Sequence, residues 1–197
     1  MVIGKSKVIK PFFIGIAGGS GSGKTALAKT LKKHFGRKSV ILHLDNYQKF
    51  EGKLPILHGM KNWDSPESIN WNKLYKDLLS LKKRKPVILT SREQKYLRDK
   101  KKIIFHPSDI VIIEGYLLFY RKFIRQLIDF RVFLRANQNT RLRRRTKDKS
   151  RPYVEKILLP MHKKYIQPAR NYADLVLNTE KHSTEECCKK IVKCLPF

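Results

Sequence analysis

A glycine-rich segment near the start of the chain has the residue types and spacing of a phosphate-binding loop. Residues 18–25 read GGSGSGKT and fit the pattern G-x-x-x-x-G-K-[ST]. Glycines let backbone N–H groups approach phosphate oxygens without Cβ clashes, and a helix that begins here adds free amides and a positive dipole end. Lys24 is placed to reach the β- and γ-phosphates of ATP, and the Thr25 hydroxyl is placed to ligate Mg²⁺. The residues predicted to contact ATP in this segment are Gly18, Gly19, Ser20, Gly21, Ser22, Gly23, Lys24, Thr25 and Ala26.

Two carboxylates follow apolar runs in a chain that has only 16 acidic residues. Asp45 comes directly after residues 40–44, and Glu114 comes directly after residues 110–113. Phosphoryl transfer requires a carboxylate near the metal and a group that orients or deprotonates the acceptor hydroxyl. We predict that Asp45 is the general base and an outer-shell partner of the metal, and that Glu114 serves Mg²⁺ directly or through water. A turn cap at Asp45 and a structural carboxylate at Glu114 remain as alternatives.

A basic segment late in the chain is suited to close over a bound nucleotide. Four arginines occur within residues 141–145 on one predicted helix. Because a helix distributes them over different faces, only a subset can reach one phosphate group. The planar guanidinium binds phosphate oxygens in a bidentate manner, and a closed lid excludes water. We predict a lid at residues 141–152 from which Arg141 contacts ATP; a solvated basic helix is the alternative for at least two of the arginines.

The predicted elements that must position these residues alternate between strand and helix. Short apolar runs predict strands at residues 12–17, 40–44, 86–90, 102–105, 109–114, 130–134 and 175–177. Helical spacing predicts helices at residues 25–35, 69–81, 117–127, 140–147, 153–169 (interrupted near Pro160) and 184–195, with a loop at residues 48–60. This alternation predicts an α/β domain in which helices cover both faces of a parallel sheet. Ligands bind such sheets at the carboxyl ends of the strands, where Asp45 and Glu114 are expected.

Length and composition favour one domain, residues 1–197, with enough apolar residues for a core. Hydrophobic residues make up 41% of the chain but form no run of about 18, so no membrane span is predicted. Residues 1–10 lack the long apolar stretch of a signal peptide. Cys187, Cys188 and Cys194 lack metal-site spacing and are interpreted as reduced thiols. Together these features predict a cytoplasmic protein.

The chain is strongly basic, since 44 Lys and Arg residues against 16 Asp and Glu give a net charge of +28. Such a charge attracts polyanions, among them nucleotides, nucleic acids and anionic membranes. The basic clusters at residues 82–85, 100–102 and 141–145 are interpreted as solvated surfaces or contacts to ATP phosphates. Because the sequence has neither an aromatic stacking platform nor a known nucleic-acid-reading motif, a dedicated polyanion site is the less favoured alternative.

Five further segments accompany the phosphate loop in order along the chain. They are DNY at 45–47, NWDSPE at 62–67, DIVIIEGYLLFY at 109–120, TRLRRR at 140–145 and YIQPARNYADLVL at 165–177. This ordered set resembles the uridine kinase group of P-loop kinases, which is similar to phosphoribulokinases and nicotinamide riboside kinases, over most of the chain. The resemblance implies the P-loop NTPase fold, with three layers, a five-stranded parallel sheet and a short basic lid.

The resemblance also implies roles at matching positions. Asp45 lies where the family has its catalytic base, and Glu114 lies where it has a magnesium-associated carboxylate. Asp64, with Trp63 beside it, lies where the family holds ribose hydroxyls. Arg145 matches an arginine that contacts the acceptor, and Arg151 matches a lid arginine near ATP. The predicted catalytic residues are Asp45, Lys24 and Arg145; the predicted acceptor site comprises Asp45, Tyr47, Trp63, Asp64 and Arg145; the predicted metal site comprises Thr25, Glu114 and Asp45.

The segment at residues 86–93 departs from the family pattern. Uridine kinases read the pyrimidine with a Pro-Val-Tyr-Asp-Phe segment followed by His and Arg, whereas residues 86–93 read PVILTSRE. The polar edges of a buried base need partners, and their loss is costly, so the identity of the acceptor remains open. His58, His106 and His162 offer substitute contacts or, as the favoured alternative, are ordinary histidines.

The predicted function is transfer of the γ-phosphate of ATP to a hydroxyl of a nucleoside or a similar riboside. A basic P-loop protein that binds or phosphorylates nucleic acid is the alternative from a different class. A nucleotide-binding module without catalysis is a third alternative, and it is disfavoured because the chain has Lys24, Thr25, Asp45 and Glu114. The oligomeric state is left open.

Overall fold

The computed structural model of the protein describes residues 10–90, 102–145 and 150–197. Within these ranges the strands are β1 (Phe12–Gly18), β2 (Ser39–His43), β3 (Ile56–Leu57), β4 (Met60–Lys61), β5 (Val87–Thr90), β6 (Lys102–Phe105), β7 (Ile110–Glu114), β8 (Phe130–Arg135) and β9 (Leu175–Asn178). The α-helices are α1 (Lys24–Phe35), α2 (Trp71–Lys82), α3 (Lys122–Arg125), α4 (Gln138–Arg143), α5 (Arg151–Tyr153), α6 (Leu159–Met161) and α7 (Thr184–Cys194).

Five strands form a parallel sheet in the order β2-β7-β1-β8-β9. β1 is central because it pairs with β7 on one side and with β8 on the other. The register aligns His43 of β2 with Glu114 of β7, and Glu114 with Ile16 of β1. The carboxyl ends of these three strands therefore meet at one edge, where the phosphate loop begins. The predicted five-stranded parallel sheet is confirmed.

Alternating side chains of the central strands contribute to two apolar layers. In β1, Ile14 and Ile16 face one layer, and Phe13 and Ala17 face the other. The first layer packs against α1 and α7, and the second packs against α2 and the segment after β7. Because β1 is buried on both faces, its sequence is a continuous apolar run. This arrangement confirms the predicted α/β fold with helices on both faces.

The caps of two helices match their sequence signals. α1 begins at Lys24, directly after Gly23 with φ 92°, and Gly36 with φ 59° follows its last residue. Glycine adopts these left-handed conformations without a Cβ penalty. α7 begins with a capping box, in which Glu186 N donates to Ser183 Oγ at 3.1 Å and Ser183 N donates to Glu186 Oε2 at 2.7 Å. The α1 boundary places free helix amides at the end of the phosphate loop.

Residues 151–172 form a helical stretch of changing pitch, called the mixed helix below. It contains α5 and α6, π-helical turns at Val154–Leu158 and His162–Ile166, and a final 3-10 segment at Gln167–Tyr172. The predicted interruption near Pro160 is not found, because Pro160 lies in the first turn of α6 and the flanking π-turns change the hydrogen-bond pattern.

The helix predicted at residues 117–127 is mostly replaced by turns, and only α3 is helical. Leu117, Leu118 and Phe119 are all buried. Three consecutive buried side chains do not fit the one-sided apolar stripe of a surface helix, so the chain turns to bury them. Arg125 Nη1 donates to the carbonyl oxygens of Phe119 at 2.7 Å and Tyr120 at 3.0 Å and thereby holds this turn.

Three further segments differ from their predictions in partner or type. The strands predicted at residues 86–90 and 102–105 exist, but β5 and β6 pair with each other as an antiparallel hairpin outside the central sheet. The predicted loop at residues 48–60 contributes to a short hairpin of β3 and β4. An apolar run indicates that a strand exists, but it does not specify the partner strand.

The helix predicted at residues 140–147 begins two residues earlier, and α4 ends at Arg143. Residues 146–149, in the predicted lid, lie outside the described residues. The lid at 141–152 and the single domain of residues 1–197 therefore stay predictions.

The described helices include none that combines the length and the apolar character needed to cross a lipid bilayer. Cys187 and Cys188 are buried free thiols, and Cys194 is an exposed one. Burial raises the pKa of Cys187 and Cys188, which keeps them protonated and unreactive.

Candidate active site

The phosphate loop, residues 18–25, connects the end of β1 to the start of α1. Three of its glycines have positive φ angles, namely 146° at Gly18, 80° at Gly21 and 92° at Gly23. Lys24 Nζ donates a 2.9 Å hydrogen bond to Gly19 O, so the lysine folds back over the loop. The loop thus has the backbone conformation and the lysine position that a phosphate cradle requires.

Two side chains from later in the sequence pack on this loop. A Cβ built on Gly19 would lie 2.6 Å from Arg141 Nη1 and 2.7 Å from His162 Cε1. A Cβ built on Gly21 would overlap the carbonyl oxygen of Arg141. α4 and the mixed helix therefore lie so close to the loop that any residue larger than glycine at position 19 or 21 would clash with them. Arg141 is among the residues predicted to contact ATP, whereas His162 was not assigned to this site by its sequence context.

Gly21→Ala is expected to lower the free energy of unfolding by about 1–3 kcal/mol more than Gly23→Ala does, because it adds a steric overlap. Both glycines have positive φ, but a Cβ on Gly23 would meet nothing within 4 Å. Urea unfolding measures the difference, and nucleotide titration is expected to show weaker binding for Gly21→Ala. Equal stability of the two variants would contradict the close packing of α4 on the loop.

Thr25 and Glu114 form the oxygen-rich side of the site. Thr25 Oγ1 donates to Glu114 Oε1 at 3.3 Å, and His43 Nδ1 lies 2.6 Å from the same carboxylate oxygen. The strand register explains the second contact, because His43 and Glu114 are neighbours at the ends of β2 and β7. His43 was missed by the sequence reasoning, and its position two residues before Asp45 is the only local signal for it.

The Thr25–Glu114 pair fits Mg²⁺. Hydroxyl and carboxylate oxygens are ligands that Mg²⁺ prefers, and Mg²⁺ usually binds through one or two protein groups together with phosphate oxygens and water. The described part of the chain contains no group of three or more His, Cys, Asp or Glu side chains that could hold a metal alone. A magnesium ion here would therefore depend on the phosphates for several of its ligands.

The charges of three predicted carboxylates act on Lys24. Burial lowers the pKa of Lys24, and the negative charges of Glu114, Asp45 and Asp64 act in the opposite direction. Arg141 lowers the pKa of the lysine further. The structure thus brings three carboxylates from separate parts of the chain within electrostatic reach of the phosphate-loop lysine.

A hydrogen-bond network holds Trp63 and Asp64. The Tyr153 hydroxyl donates to Asp64 Oδ2 at 2.7 Å and accepts from Trp63 N at 3.1 Å, and the Tyr116 hydroxyl donates to Trp63 O. Asp64 is 7% exposed. Burial, followed by the charge of Asp64, raises the pKa of both tyrosines, so both hydroxyls stay protonated. Neither tyrosine was predicted as a site residue, although Tyr116 lies within the 109–120 segment that carries part of the family resemblance.

Two predicted site residues have other surroundings. Tyr47 is 2% exposed, and its hydroxyl donates to Asp77 Oδ2 of α2 at 3.0 Å. Arg151 has 88% of its side chain exposed, and its Nε donates to Glu155 Oε1 at 2.8 Å. The predicted contacts of Tyr47 with an acceptor and of Arg151 with ATP stay predictions.

Four buried polar atoms, on the phosphate loop, on residues 141–145 and on His162, have no hydrogen-bond partner among the residues that the structure describes. They are Ser22 Oγ, Arg141 Nε, Arg145 Nη1 and His162 Nδ1. Arg141 is 4% exposed, and burial together with the charge of Arg145 lowers its pKa. Buried polar atoms in proteins are almost always bonded, so these atoms indicate a polar ligand. Because two of them are guanidinium nitrogens, the ligand expected here is an anion, and phosphate groups fit.

Two clefts adjoin the loop. A cleft of about 700 Å³ is lined by Gly19, Arg141, His162 and the ends of β8 and β9. A second cleft, of about 390 Å³, lies at the first turn of α1 and is lined in part by Gly23, Ala26, Arg144, Thr179 and His182. Small-molecule sites usually measure about 300–1,000 Å³, so each cleft is large enough for a ligand.

Comparison with known families gives this arrangement a context. The model of the Phosphoribulokinase / Uridine kinase family matches residues 13–185, which is most of the chain. The chain belongs to the phosphoribulokinase/uridine kinase family. Uridine kinases from Geobacillus sp. (strain WCH70) and Lactobacillus helveticus (strain DPC 4571) are 30% and 32% identical to it. These alignments cover 88% and 87% of this chain, and 89% and 88% of the two relatives.

Solved structures agree with the fold of the phosphoribulokinase/uridine kinase family. A possible uridine kinase from Bacillus stearothermophilus matches with a TM-score of 0.64 and 22% identity, over 88% of this chain and 91% of that chain. Phosphoribulokinase from Rhodobacter spheroides matches with a TM-score of 0.63 and 15% identity, over 86% of this chain and 70% of that chain.

Membership of the phosphoribulokinase/uridine kinase family establishes the class of reaction. The chain is a P-loop kinase that uses ATP and transfers a phosphoryl group to a hydroxyl group of a small molecule. The family predicted from the ordered motifs is confirmed.

Proposed function

We propose that the acceptor is a nucleoside or a similar riboside, and that the γ-phosphoryl group of ATP passes to one of its ribose hydroxyls. The observation that carries the proposal is Asp64, which is buried, acts on Lys24 through its charge and is held by Tyr153. A fixed carboxylate beside the phosphate-loop lysine is suited to accept hydrogen bonds from ribose hydroxyls. The curated relatives named uridine kinase support an acceptor of this class.

The proposed donor site consists of residues 18–26 with Arg141. Backbone amides and Lys24 bind the phosphates, and Arg141 neutralises part of their charge. The cleft of about 390 Å³ is assigned to the nucleoside end of ATP, because it adjoins the first turn of α1. Its lining residues Ala26 and Arg144 are then expected beside the ribose and the base.

The proposed metal ligands are Thr25 and Glu114, and Asp45 is proposed as an outer-shell partner of the metal. When bound, Mg²⁺ neutralises charge on the phosphate oxygens during transfer. His43, at 2.6 Å from Glu114 Oε1, orients the carboxylate.

Asp45 is proposed as the general base. It accepts the proton of the acceptor hydroxyl while that oxygen attacks the γ-phosphorus. The negative charge of Asp45 acts on Lys24 of the phosphate loop and on Tyr116, whose hydroxyl holds Trp63 O. Lys24 and Arg145 stabilise the negative charge of the transferring group, and a lid that brings Arg151 over ATP would exclude water.

The segment that reads the base in uridine kinases offers different chemistry here. Val87 and Leu89 of β5 are buried, and Ile88 between them is exposed. Residues 91–93, the rest of the 86–93 segment, lie outside the described residues. An apolar β5 cannot satisfy the polar edge of a pyrimidine, so the base of the acceptor is proposed to differ from uracil or to be read by other residues.

Asp64→Ala is expected to raise the KM for the acceptor by about 10–100-fold, the usual effect of losing hydrogen bonds to a charged group. Affinity for ATP should not change. Tyr153→Phe removes only the 2.7 Å hydrogen bond that holds Asp64, so its expected increase in KM is about 2–10-fold. Tyr172→Phe, at an exposed tyrosine of the mixed helix, is the control for Tyr153→Phe. A silent Asp64→Ala would show that the acceptor binds elsewhere.

The decisive test of the proposed function is ADP release from ATP–Mg²⁺ with a panel of acceptors. The panel contains uridine, cytidine, other nucleosides, nicotinamide riboside, pantothenate and ribulose 5-phosphate, and Lys24→Ala is the inactive control. Turnover that depends on a riboside supports the proposal. Turnover only with pantothenate or ribulose 5-phosphate would contradict the riboside acceptor, while the assignment of the chain as a small-molecule kinase would stand.

A nucleic-acid acceptor is the second candidate, and the net charge of +28 is the observation that favours it. It predicts that the logarithm of affinity for an oligonucleotide falls linearly with the logarithm of salt concentration. Phosphorylation of an oligonucleotide, combined with no turnover across the panel, would replace the riboside proposal.

A further inference from the structure

His162 of the mixed helix is a polar residue that the proposed mechanism does not use. Its ring lies against the phosphate loop, because a Cβ built on Gly19 would lie 2.7 Å from His162 Cε1 and 2.8 Å from His162 Nδ1. His162 Nδ1 is buried and has no hydrogen-bond partner among the described residues. Buried ring nitrogens are normally bonded, so this atom indicates a ligand that completes its surroundings.

Charged groups from several elements act on His162. Arg141 of α4 and Lys24 of α1 disfavour its protonation, and Asp64 favours it. Burial is the largest influence, and together with the two cations it lowers the pKa of His162 to about 4. The imidazole is therefore neutral near pH 7 in the nucleotide-free protein. Glu155, Lys163, Arg170, Arg135 and Glu180 line the same cleft as His162.

These neighbours also locate His162 within the site. Lys24 belongs to the phosphate loop and reaches the β- and γ-phosphates, whereas Asp64 belongs to the proposed acceptor side. The ring lies at Gly19, the residue whose carbonyl oxygen accepts from Lys24 Nζ at 2.9 Å, so His162 is on the side of the loop that the phosphates would occupy. His162 lines the open cleft of about 700 Å³, so a ligand has access to its ring.

We propose that His162 binds the γ-phosphoryl group of ATP and takes up a proton from solvent as ATP binds. The inference rests on the proposed placement of the triphosphate on residues 18–26. A bound triphosphate adds negative charge beside Arg141 and Lys24, which reverses the field that keeps the imidazole neutral. The imidazolium then donates a hydrogen bond to a phosphoryl oxygen, and no covalent bond of the nucleotide changes.

Proton uptake gives nucleotide binding a defined pH dependence. Proton uptake and ATP binding are coupled at pH values between the low pKa of His162 in the free protein and its higher pKa in the complex. Within that interval the affinity for ATP rises as the pH falls, because the complex binds more protons than the free protein. The phosphates of ATP titrate near the same pH, so the effect is measured as the difference from a variant that cannot titrate at position 162.

Two substitutions separate the polar contact from the titration. His162→Gln keeps a polar side chain that does not titrate, and His162→Leu removes both properties. His106→Gln is the matched control, because His106 is exposed on the segment after β6. The full chain is titrated by calorimetry with ADP and with a non-hydrolysable β,γ-imido analogue of ATP. Two buffers with different ionisation enthalpies give the number of protons taken up.

We expect wild type and His106→Gln to take up protons with the ATP analogue, and both variants at His162 to lose this uptake. His162→Leu is also expected to lose about tenfold in affinity for the ATP analogue, as for one hydrogen bond to a charged group, and less for ADP. Thermal unfolding checks that the variants fold. If His162→Leu does not fold, proton uptake by His162→Gln decides the question.

Three results would overturn the proposal. If His162→Gln takes up as many protons as wild type, His162 is not the group that is protonated on ATP binding. If His162→Leu binds the ATP analogue with unchanged affinity, His162 makes no stabilising contact with it. Equal losses for ADP and for the ATP analogue would show that His162 does not bind the γ-phosphoryl group. A wild-type chain that binds neither nucleotide is distinguishable from these, since it would overturn the placement of the triphosphate and this inference with it.

Discussion

Asp45→Asn is expected to lower kcat by about 10²–10⁴-fold, the usual contribution of a general base, with nucleotide affinity nearly unchanged. Asparagine keeps the size of the side chain and one acceptor oxygen, but it cannot take a proton from the acceptor hydroxyl. Asp45 lies in the 3-10 turn Leu44–Tyr47 after β2, and its charge reaches Lys24. Steady-state ADP release measures kcat, and titration with a nucleotide analogue measures binding.

Asp109→Asn is the matched control for this experiment. Asp109 precedes β7 at the opposite edge of the sheet, where it pairs with Arg84 at 2.6 Å. Its removal changes the net charge by the same amount as Asp45→Asn, and activity should stay near wild type. An Asp45→Asn enzyme with a kcat near wild type would end the assignment of Asp45 as base.

Lys24→Met is expected to lower kcat/KM for ATP by about 10²–10³-fold or more, the effect of removing one pre-organised donor to the transferring group. Methionine keeps an unbranched side chain and removes the charge. In the nucleotide-free protein the change also removes the 2.9 Å hydrogen bond to Gly19 O. Nucleotide titration shows how much of the loss lies in binding, and single-turnover kinetics show how much lies in the chemical step.

Lys29→Met provides the comparison for Lys24→Met. Lys29 is exposed on the same helix, α1, and this change removes an equal charge from the protein. Near wild-type activity is expected. A comparable loss in both variants would mean that the overall positive field, rather than the position of Lys24, governs ATP binding.

The phosphate-loop conformation and the position of Glu114 beside it could be predicted from the sequence because their signals are local. The phosphate loop is a run of eight consecutive residues, 18–25, between an apolar strand and a helix. Apolar runs directly before Asp45 and Glu114 mark the ends of buried strands. Carboxyl ends of parallel strands converge whatever the strand order, so both carboxylates could be expected near the loop without knowing that β7 lies between β2 and β1.

The side chains that hold those groups could not be predicted, because their contacts join distant segments. His43 reaches Glu114 only through the register of β2 and β7. Tyr116 and Tyr153 meet at Trp63 from positions 53 and 90 residues away. No local period encodes such contacts, and those of Tyr153 depend on how the mixed helix packs.

Local patterns also failed where burial overrode them. Apolar spacing at residues 117–127 is compatible with a helix, yet three consecutive side chains, those of Leu117, Leu118 and Phe119, are buried in the core. Likewise the apolar runs of β5 and β6 predict two strands, but they do not specify that the two strands pair with each other outside the central sheet.

The position of β1 in the sheet has a consequence for protein synthesis. Both neighbours of β1, β7 and β8, begin at residue 110 or later. A nascent chain that ends before that point carries the complete GGSGSGKT segment with no strand beside it. Parallel strands so distant in sequence pair only after a long loop has closed. With ATP placed on residues 18–25 as proposed, the ability to bind a polyphosphate is expected to arise late during translation, and ATP is expected to stabilise the finished sheet rather than shorter nascent chains.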